Sequence, residues 1–493
     1  MSNDIEGAAL AAPQPTSGPR IEPEASAPPL HTRFPTGFTW GAATSSYQVE
    51  GSTEADGRGR SIWDAFVNEP GRVVDGSNGD TAIDSYRNIA GDIALIKALG
   101  LNSYRFSLSW PRICPDGDDR VNERGLAYYS DLVDALLAEG ITPWITLYHW
   151  DLPQALEDAG GWPERATALR FGEFARIAHR ALGDRVKHWI TVNEPWCAAF
   201  LGYSSGEHAP GRREPAASIA AAHHLMLAHG LAARAIKVAD PQSTVSIGLN
   251  FYPVHAASDA PVDLDAARRV DGVQNRWFTE AALRGAYPED VVEDFKAVTD
   301  FSFILDGDME TVHAPVDVLS VNYYSRFTVT GNGGATSASA APTGAGSAWP
   351  ANEHIGFVPA GLPVTDMGWE IEPAGLTEML TRLHAGYPEV ALAVTENGAA
   401  FPDKLEDGRV HDPERLEYVQ GHVAACADAV AAGVPLVGYF AWSLADNFEW
   451  AWGYTKRFGL VYVDFETGER TVKDSGRWYG DLVRRARSNR EAE

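Results

Sequence analysis

Eight short apolar runs recur along the chain, separated by stretches of helical periodicity, and that alternation leaves few folds open. The runs lie near 38–43, 101–107, 141–148, 186–193, 244–251, 316–323, 390–395 and 435–442. They are rich in β-branched and aromatic residues and short enough for buried strands. Between the second and third, Leu126, Tyr129, Leu132, Val133, Leu136 and Leu137 recur at helical spacing, and Gly140 follows as a stop. Phe171, Phe174, Ala175, Ile177 and Ala178 mark another helix, and an alanine-rich one spans about 216–239. Strand–helix alternation predicts a parallel sheet, and eight units predict an α/β fold, a single (β/α)8 TIM barrel. The alternative is an open doubly wound sheet. Its glycine-rich turn after the first strand is absent, because Thr44-Ser45-Ser46-Tyr47-Gln48 stands there.

The ends of the runs are polar. Gln48 follows the first, Arg105 lies on the second, His149 closes the third and Asn193-Glu194 the fourth. Asn322 and Tyr324 mark the sixth, Glu396 the seventh and Trp442 the eighth. Barrel enzymes assemble their sites from the carboxyl ends of strands, so these side chains are expected to face one pocket. Two of them are glutamates. A carboxylate closing a buried strand is expensive unless it is used, and paired carboxylates break glycosidic bonds. Aromatics stand beside acids and histidines, as in His149-Trp150-Asp151 and Asn447-Phe448-Glu449-Trp450. Flat rings for sugar C–H faces and acids for hydroxyls suit a sugar pocket.

Other features narrow the reading. The formal net charge of -27 argues against a nucleic-acid partner and against an anionic membrane surface. No apolar run is long enough to span a bilayer. Three scattered cysteines, Cys114, Cys197 and Cys426, form no disulfide framework or zinc spacing and fit a cytoplasmic location. Residues 1–30, rich in Ala and Pro with several acids, read as a disordered tail rather than an export signal, ahead of a barrel over 31–490. The Gly/Ala/Ser-rich stretch 331–350 reads as a flexible loop on the pocket side. His223, His224 and His229 do not share a helix face, since His223 and His229 are roughly 600° apart, and read as structural. Cys197 reads as buried filler.

Six motifs in order then resemble glycoside hydrolase family 1, the β-glucosidase family. They are Tyr148-His149-Trp150-Asp151-Leu152-Pro153, Thr191-Val192-Asn193-Glu194-Pro195, Asn322-Tyr323-Tyr324, Thr395-Glu396-Asn397-Gly398, Trp442-Ser443-Leu444 and Asn447-Phe448-Glu449-Trp450. The resemblance covers about 34–479. It implies a retaining β-glycosidase, first of all a β-glucosidase, acting on small soluble β-glycosides through a covalent glycosyl-enzyme, with no metal and no organic cofactor. By position, Glu194 would be the acid/base and Glu396 the nucleophile. Gln48, His149, Asn193 and Glu449 would bind glycone hydroxyls. Trp442 would floor the sugar, Trp450 would add a further polar contact, and Trp150 would bind substrate with them. Tyr324 and Arg105 would tune Glu396, with Asn322 in support, and Trp369 would lie on the aglycone side.

Glu372, in Trp369-Glu370-Ile371-Glu372-Pro373, departs from the family's usual residue and bears on aglycone preference. Two alternatives stay open. One is a 6-phospho-β-glucosidase, for which Lys456 is near in sequence, and the other is a non-catalytic sugar-binding barrel. Transglycosylation and side activity on β-galactosides and β-fucosides would use the same two glutamates. The sequence leaves the oligomeric state undetermined.

Overall fold

The computed structural model describes residues 28–333 and 345–488. Most of the expected tail, the central part of the 331–350 loop and positions 489–490 therefore lie outside the described residues. The eight strands form as expected: β1 (Thr39–Ala43), β2 (Ser103–Ser107), β3 (Thr142–Tyr148), β4 (His188–Asn193), β5 (Thr244–Phe251), β6 (Val318–Tyr323), β7 (Ala391–Asn397) and β8 (Leu436–Trp442). All pair in parallel with their sequence neighbours, and β8 closes onto β1. The open-sheet alternative is excluded.

A helix follows each strand: α1 (Ile89–Ala98), α2 (Glu123–Ala138), α3 (Arg165–Leu182) and α4 (Pro215–Ala239). After β5 comes α5, two α-helical pieces (Pro261–Asp271 and Trp277–Arg284) joined by a π-helical stretch (Gly272–Arg276). Then come α6 (Pro373–Gly386), α7 (Pro413–Ala431) and α8 (Asp474–Ser488). In α3 the buried side chains Ala168, Phe171, Phe174, Ala175, Ala178 and Leu182 trace one face, as a 3.6-residue period requires. In α2, Tyr129, Leu132, Val133 and Leu136 are buried, but Leu137 is 39% exposed because it lies one step past that stripe.

Side chains alternate across the barrel wall. Ile145 and Leu147 of β3 join the core between strands and helices, while Trp144 points into the smaller core with Ile190, Ala393 and Phe440. There Trp144 stacks on His188 at 4.5 Å and meets Phe440 at 5.0 Å. Burying each such ring is worth about 1.5–3 kcal/mol, and this plug makes the barrel a solid platform rather than a pore.

Register then sets the site. Ala43 pairs with Arg105, Asn250 with Asn322, and Asn322 with Glu396, so these residues share one end of the barrel. The pairing of β4 with β5 shifts between Ile190 and Asn193, and that of β7 with β6 shifts between Val394 and Glu396. Both irregularities fall where a glutamate follows, and such local breaks re-aim side chains. Two glycines permit close packing here. A Cβ on Gly248 would lie 2.9 Å from Asn193 Oδ1, and one on Gly398 only 1.7 Å from the Trp442 carbonyl oxygen.

Candidate active site

Glu396, on the last turn of β7, is buried at 3% exposure against a guanidinium. Arg105 reaches it from β2, and its Nη1 donates to Glu396 Oε1 at 2.5 Å. The same guanidinium donates to the Thr395 carbonyl oxygen, Thr146 Oγ1 and Asn193 Oδ1 at 3.1, 3.1 and 2.6 Å. Arg105 is wholly buried, and these four contacts fix its plane. The Tyr324 hydroxyl donates to the second oxygen, Glu396 Oε2, at 2.7 Å. Both oxygens of Glu396 thus accept hydrogen bonds, one of them from a cation, an arrangement that favours the carboxylate.

Glu194, at 6% exposure, follows β4 with φ +46, a left-handed conformation that costs a non-glycine residue about 1 kcal/mol or more. Its backbone N–H donates to the Gly248 carbonyl oxygen at 2.8 Å, which anchors that turn. Asn322 Nδ2 donates to Oε1 at 2.7 Å, and the Cys197 thiol lies 3.2 Å from Oε2. Among the described residues it forms no ion pair, its two partners being neutral. Burial first, and the charge of Glu396 second, push its pKa well above the usual carboxylate range.

Hydrogen bonding fixes the amides around these acids. Asn193 Oδ1 accepts from Arg105 and, at 3.1 Å, from Asn322, so its Nδ2 must face His149 Nε2, 3.2 Å away. Nε2 is then an acceptor and the ring proton sits on Nδ1, which has no partner among the described residues. Burial and the neighbouring Arg105 hold His149 neutral, its pKa well below the ordinary value. Gln48 is fully buried. Its Oε1 accepts from Ser45 Oγ, and its Nε2 donates to Asn447 Oδ1, the Phe448 carbonyl oxygen and Glu449 Oε2 at 3.1, 2.9 and 3.4 Å. Gln48 thereby ties the loop after β8 to the loop after β1. Burial, with Glu396 and Glu194 nearby, raises the Glu449 pKa to about 8.

These groups surround a cavity of about 440 Å³. Nine expected site residues line it: His149, Trp150, Glu194, Tyr324, Trp369, Glu396, Trp442, Glu449 and Trp450. Gln48, Arg105, Asn193 and Asn322 lie just beneath and hold the lining in place. Trp442 and Trp450 lie near-parallel to His149 at 5.6 and 6.0 Å, and Trp369 packs on Tyr324 at 5.4 Å. Trp150 Nε1 donates to the Asn193 carbonyl oxygen at 3.0 Å. Like Glu194, Trp150 and Trp450 carry positive φ, so three lining residues sit in conformations that only the surrounding packing sustains.

The structure corrects two expectations and adds residues. Cys197 is not filler, since it lines the cavity and touches Glu194. Glu372 lies outside the cavity lining and pairs with Arg326 at 2.6 Å. The outer wall was missed. It comprises Trp196, Leu201, Phe327, Trp349 and Phe357, with the carboxylate of Glu207 and no lysine or arginine among the described residues. Trp349 reaches it because residues after the loop's undescribed centre dock back, Gly346 N–H donating to the Ser205 carbonyl oxygen at 2.8 Å. Glu207 and Trp349 carry no local sequence signal, whereas Cys197, three residues after Glu194, could have been read as facing it. His223, His224 and His229 bond separately to Tyr287 and Asp308, to the Trp162 carbonyl oxygen and to Thr191. Among the described residues no cluster of three or more His, Cys, Asp or Glu could hold a metal, and no helix is long and apolar enough to cross a membrane.

Comparison with known proteins agrees with this geometry. The family model described as glycosyl hydrolase family 1 matches residues 30–488. Thermostable beta-glucosidase B of Thermobispora bispora is 47% identical over 453 residues, covering 92% of this chain and 91% of its own. A bifunctional beta-D-glucosidase/beta-D-fucosidase of Bifidobacterium breve is 45% identical over 465 residues, covering 91% and 98%. The crystal structure of the psychrophilic beta-glucosidase BglU from Micrococcus antarcticus superposes with a TM-score of 0.90 at 46% identity, covering 92% of this chain and 98% of that one.

Proposed function

The chain belongs to glycosyl hydrolase family 1 and is a β-glucosidase of the retaining type, and on that premise we propose how its residues divide the work. Glu396 is the nucleophile. Arg105 and Tyr324 hold its two oxygens, and it attacks the anomeric carbon to form the glycosyl-enzyme. Glu194 is the acid. Its raised pKa keeps the proton that passes to the leaving oxygen. Once Glu396 is esterified its charge is gone, the Glu194 pKa falls, and Glu194 becomes the base that activates water. The observation that carries this assignment is the asymmetry of partners, a guanidinium on one glutamate and only neutral donors on the other.

The His149 Nδ1–H and the Glu449 carboxylate, held by Gln48, meet glycone hydroxyls, with Trp442 as the flat floor. Trp150 and Trp450 shape that end, Asn193 holds His149 from beneath, and Trp369 begins the leaving-group side. An unphosphorylated glycone fits best. Lys456 Nζ is engaged by the Asp366 carbonyl oxygen at 2.7 Å and its carboxylate at 3.1 Å, and no lysine or arginine among the described residues lines the cavity to receive a phosphate. Cellobiose-like products of cellulose breakdown and aryl or alkyl β-glucosides suit the apolar outer wall. The three free, buried cysteines fit a cytoplasmic setting.

The test is hydrolysis of 4-nitrophenyl β-D-glucoside, with proton NMR of the first-formed anomer, for wild type and Glu396→Gln. β-Glucose should form first, and Glu396→Gln should lose about 10⁴-fold or more in kcat. Near-normal turnover by that variant would remove Glu396 from the nucleophile's role.

A further inference from the structure

We propose that Cys197 is a positioning residue for the acid/base, its thiol holding Glu194 Oε2 in both protonation states of the carboxyl group. The proposal rests on the reading of Glu194 as the acid/base. Three observations carry it. The Cys197 Sγ lies 3.2 Å from Glu194 Oε2, within the 4.0 Å reach of a sulfur hydrogen bond. Asn250 Nδ2, from the end of β5, donates to the same sulfur at 3.6 Å. That amide occupies a sulfur lone pair and leaves the S–H directed at Oε2. The backbone makes the meeting possible. Glu194 turns with φ +46, and Cys197 is the first residue of a nine-residue π-helix (Cys197–Ser205) that starts three residues later.

Sulfur suits this place better than a stronger group. Asn322 can only donate to Oε1, and it favours the carboxylate throughout. A thiol donates weakly to the carboxylate and accepts still more weakly from the carboxylic acid, so it restrains Oε2 in both states while favouring the charged form only slightly. Burial and the negative charge of Glu194 hold the thiol far from ionisation, so it is a proton donor and not a competing nucleophile. The charged and titratable groups that face Glu194 are Glu396, Arg105 and Cys197, with Glu449, Tyr252, Tyr324, His149 and Glu207 farther around the cavity, Glu207 also acting on the thiol. The thiol is the one donor to Oε2 among the described residues.

The experiment is the pH profile of kcat/KM on an alkyl β-glucoside, a poor leaving group, for wild type, Cys197→Ser, Cys197→Ala and Cys197→Val. Removing the donor destabilises the carboxylate form, so in the Ala and Val variants the basic limb should move up by roughly half a pH unit. Cys197→Ser retains a donor, and a stronger one, so its basic limb should stay at or slightly below the wild-type position. Val fills the volume without a donor, so thermal stability and pH profile separate packing from hydrogen bonding. A basic limb unchanged in all three variants, or moved equally in all three, overturns the proposal. Glu194→Gln separates the two readings. If it keeps the wild-type basic limb, the assignment of Glu194 as acid/base has failed rather than the role of the thiol.

Discussion

Glu396 and Glu194 end strands of one barrel and are buried to nearly the same degree, yet their surroundings give them opposite tasks. Glu396 faces the Arg105 guanidinium and the Tyr324 hydroxyl. Glu194 faces an amide and a thiol, and across the cavity the charge of Glu396. Burial alone would push both toward the neutral acid. One ion pair at 2.5 Å sets a guanidinium against one glutamate, and the charge of that glutamate adds to burial at the other. A change of charge at Glu396 is therefore felt at Glu194.

The largest test of this contrast is Glu194→Ala. On glucosides with poor leaving groups, kcat/KM should fall by about 10²–10⁴, the usual worth of general acid catalysis. On 2,4-dinitrophenyl β-glucoside, which needs no acid, formation of the glycosyl-enzyme should be nearly unaffected. Equal losses on both substrates in pre-steady-state kinetics would break the assignment.

Arg105→Gln strikes the other member. It removes the cation beside Glu396 and the hydrogen bonds that this cation gives Asn193 and Thr395. We expect a loss of roughly 10²–10³ in kcat/KM, similar for good and poor leaving groups, because the nucleophile serves both. Circular dichroism would establish that the barrel persists, and a loss confined to poor leaving groups would contradict the pairing.

The smallest effect sharpens the linkage. The Glu194 pKa is raised in the folded protein, so its proton is present below that pKa and lost as pH rises through it. Catalysis on poor leaving groups should decline along the same alkaline limb. In Glu396→Gln the like charge is removed, and the Glu194 pKa, followed by carbon-13 NMR of its carboxyl, should drop by about one unit. It should not return to an ordinary value, because burial, the larger cause, remains. An unchanged pKa would show that the glutamates do not feel each other.

Much of this site was legible in the chain. All eight strands fall within a few residues of the apolar runs, and every strand-end residue singled out lies in the cavity wall or directly beneath it. The outer wall was not legible. Phe327 and Phe357 stand on paired strands of a small sheet outside the barrel, and Trp349 reaches them only through tertiary packing, 5.3 Å from Phe357 and 5.0 Å from Trp196. Cys197 was misread because a small buried thiol is usually inert, and nothing local tells that its sulfur meets a carboxylate.

The sequence by itself determined the barrel and the end of it where the chemistry gathers. A strand's burial and length follow from its own apolar run, and the residue that closes it is necessarily at its carboxyl end. The tertiary structure decided what each acid does. Arg105 is 291 residues from Glu396, and Asn322 is 128 from Glu194. Proton affinity depends on charges and donors within a few ångströms and on exclusion from water. Those distances are set by strand register and loop docking, so they exist only once the barrel has closed.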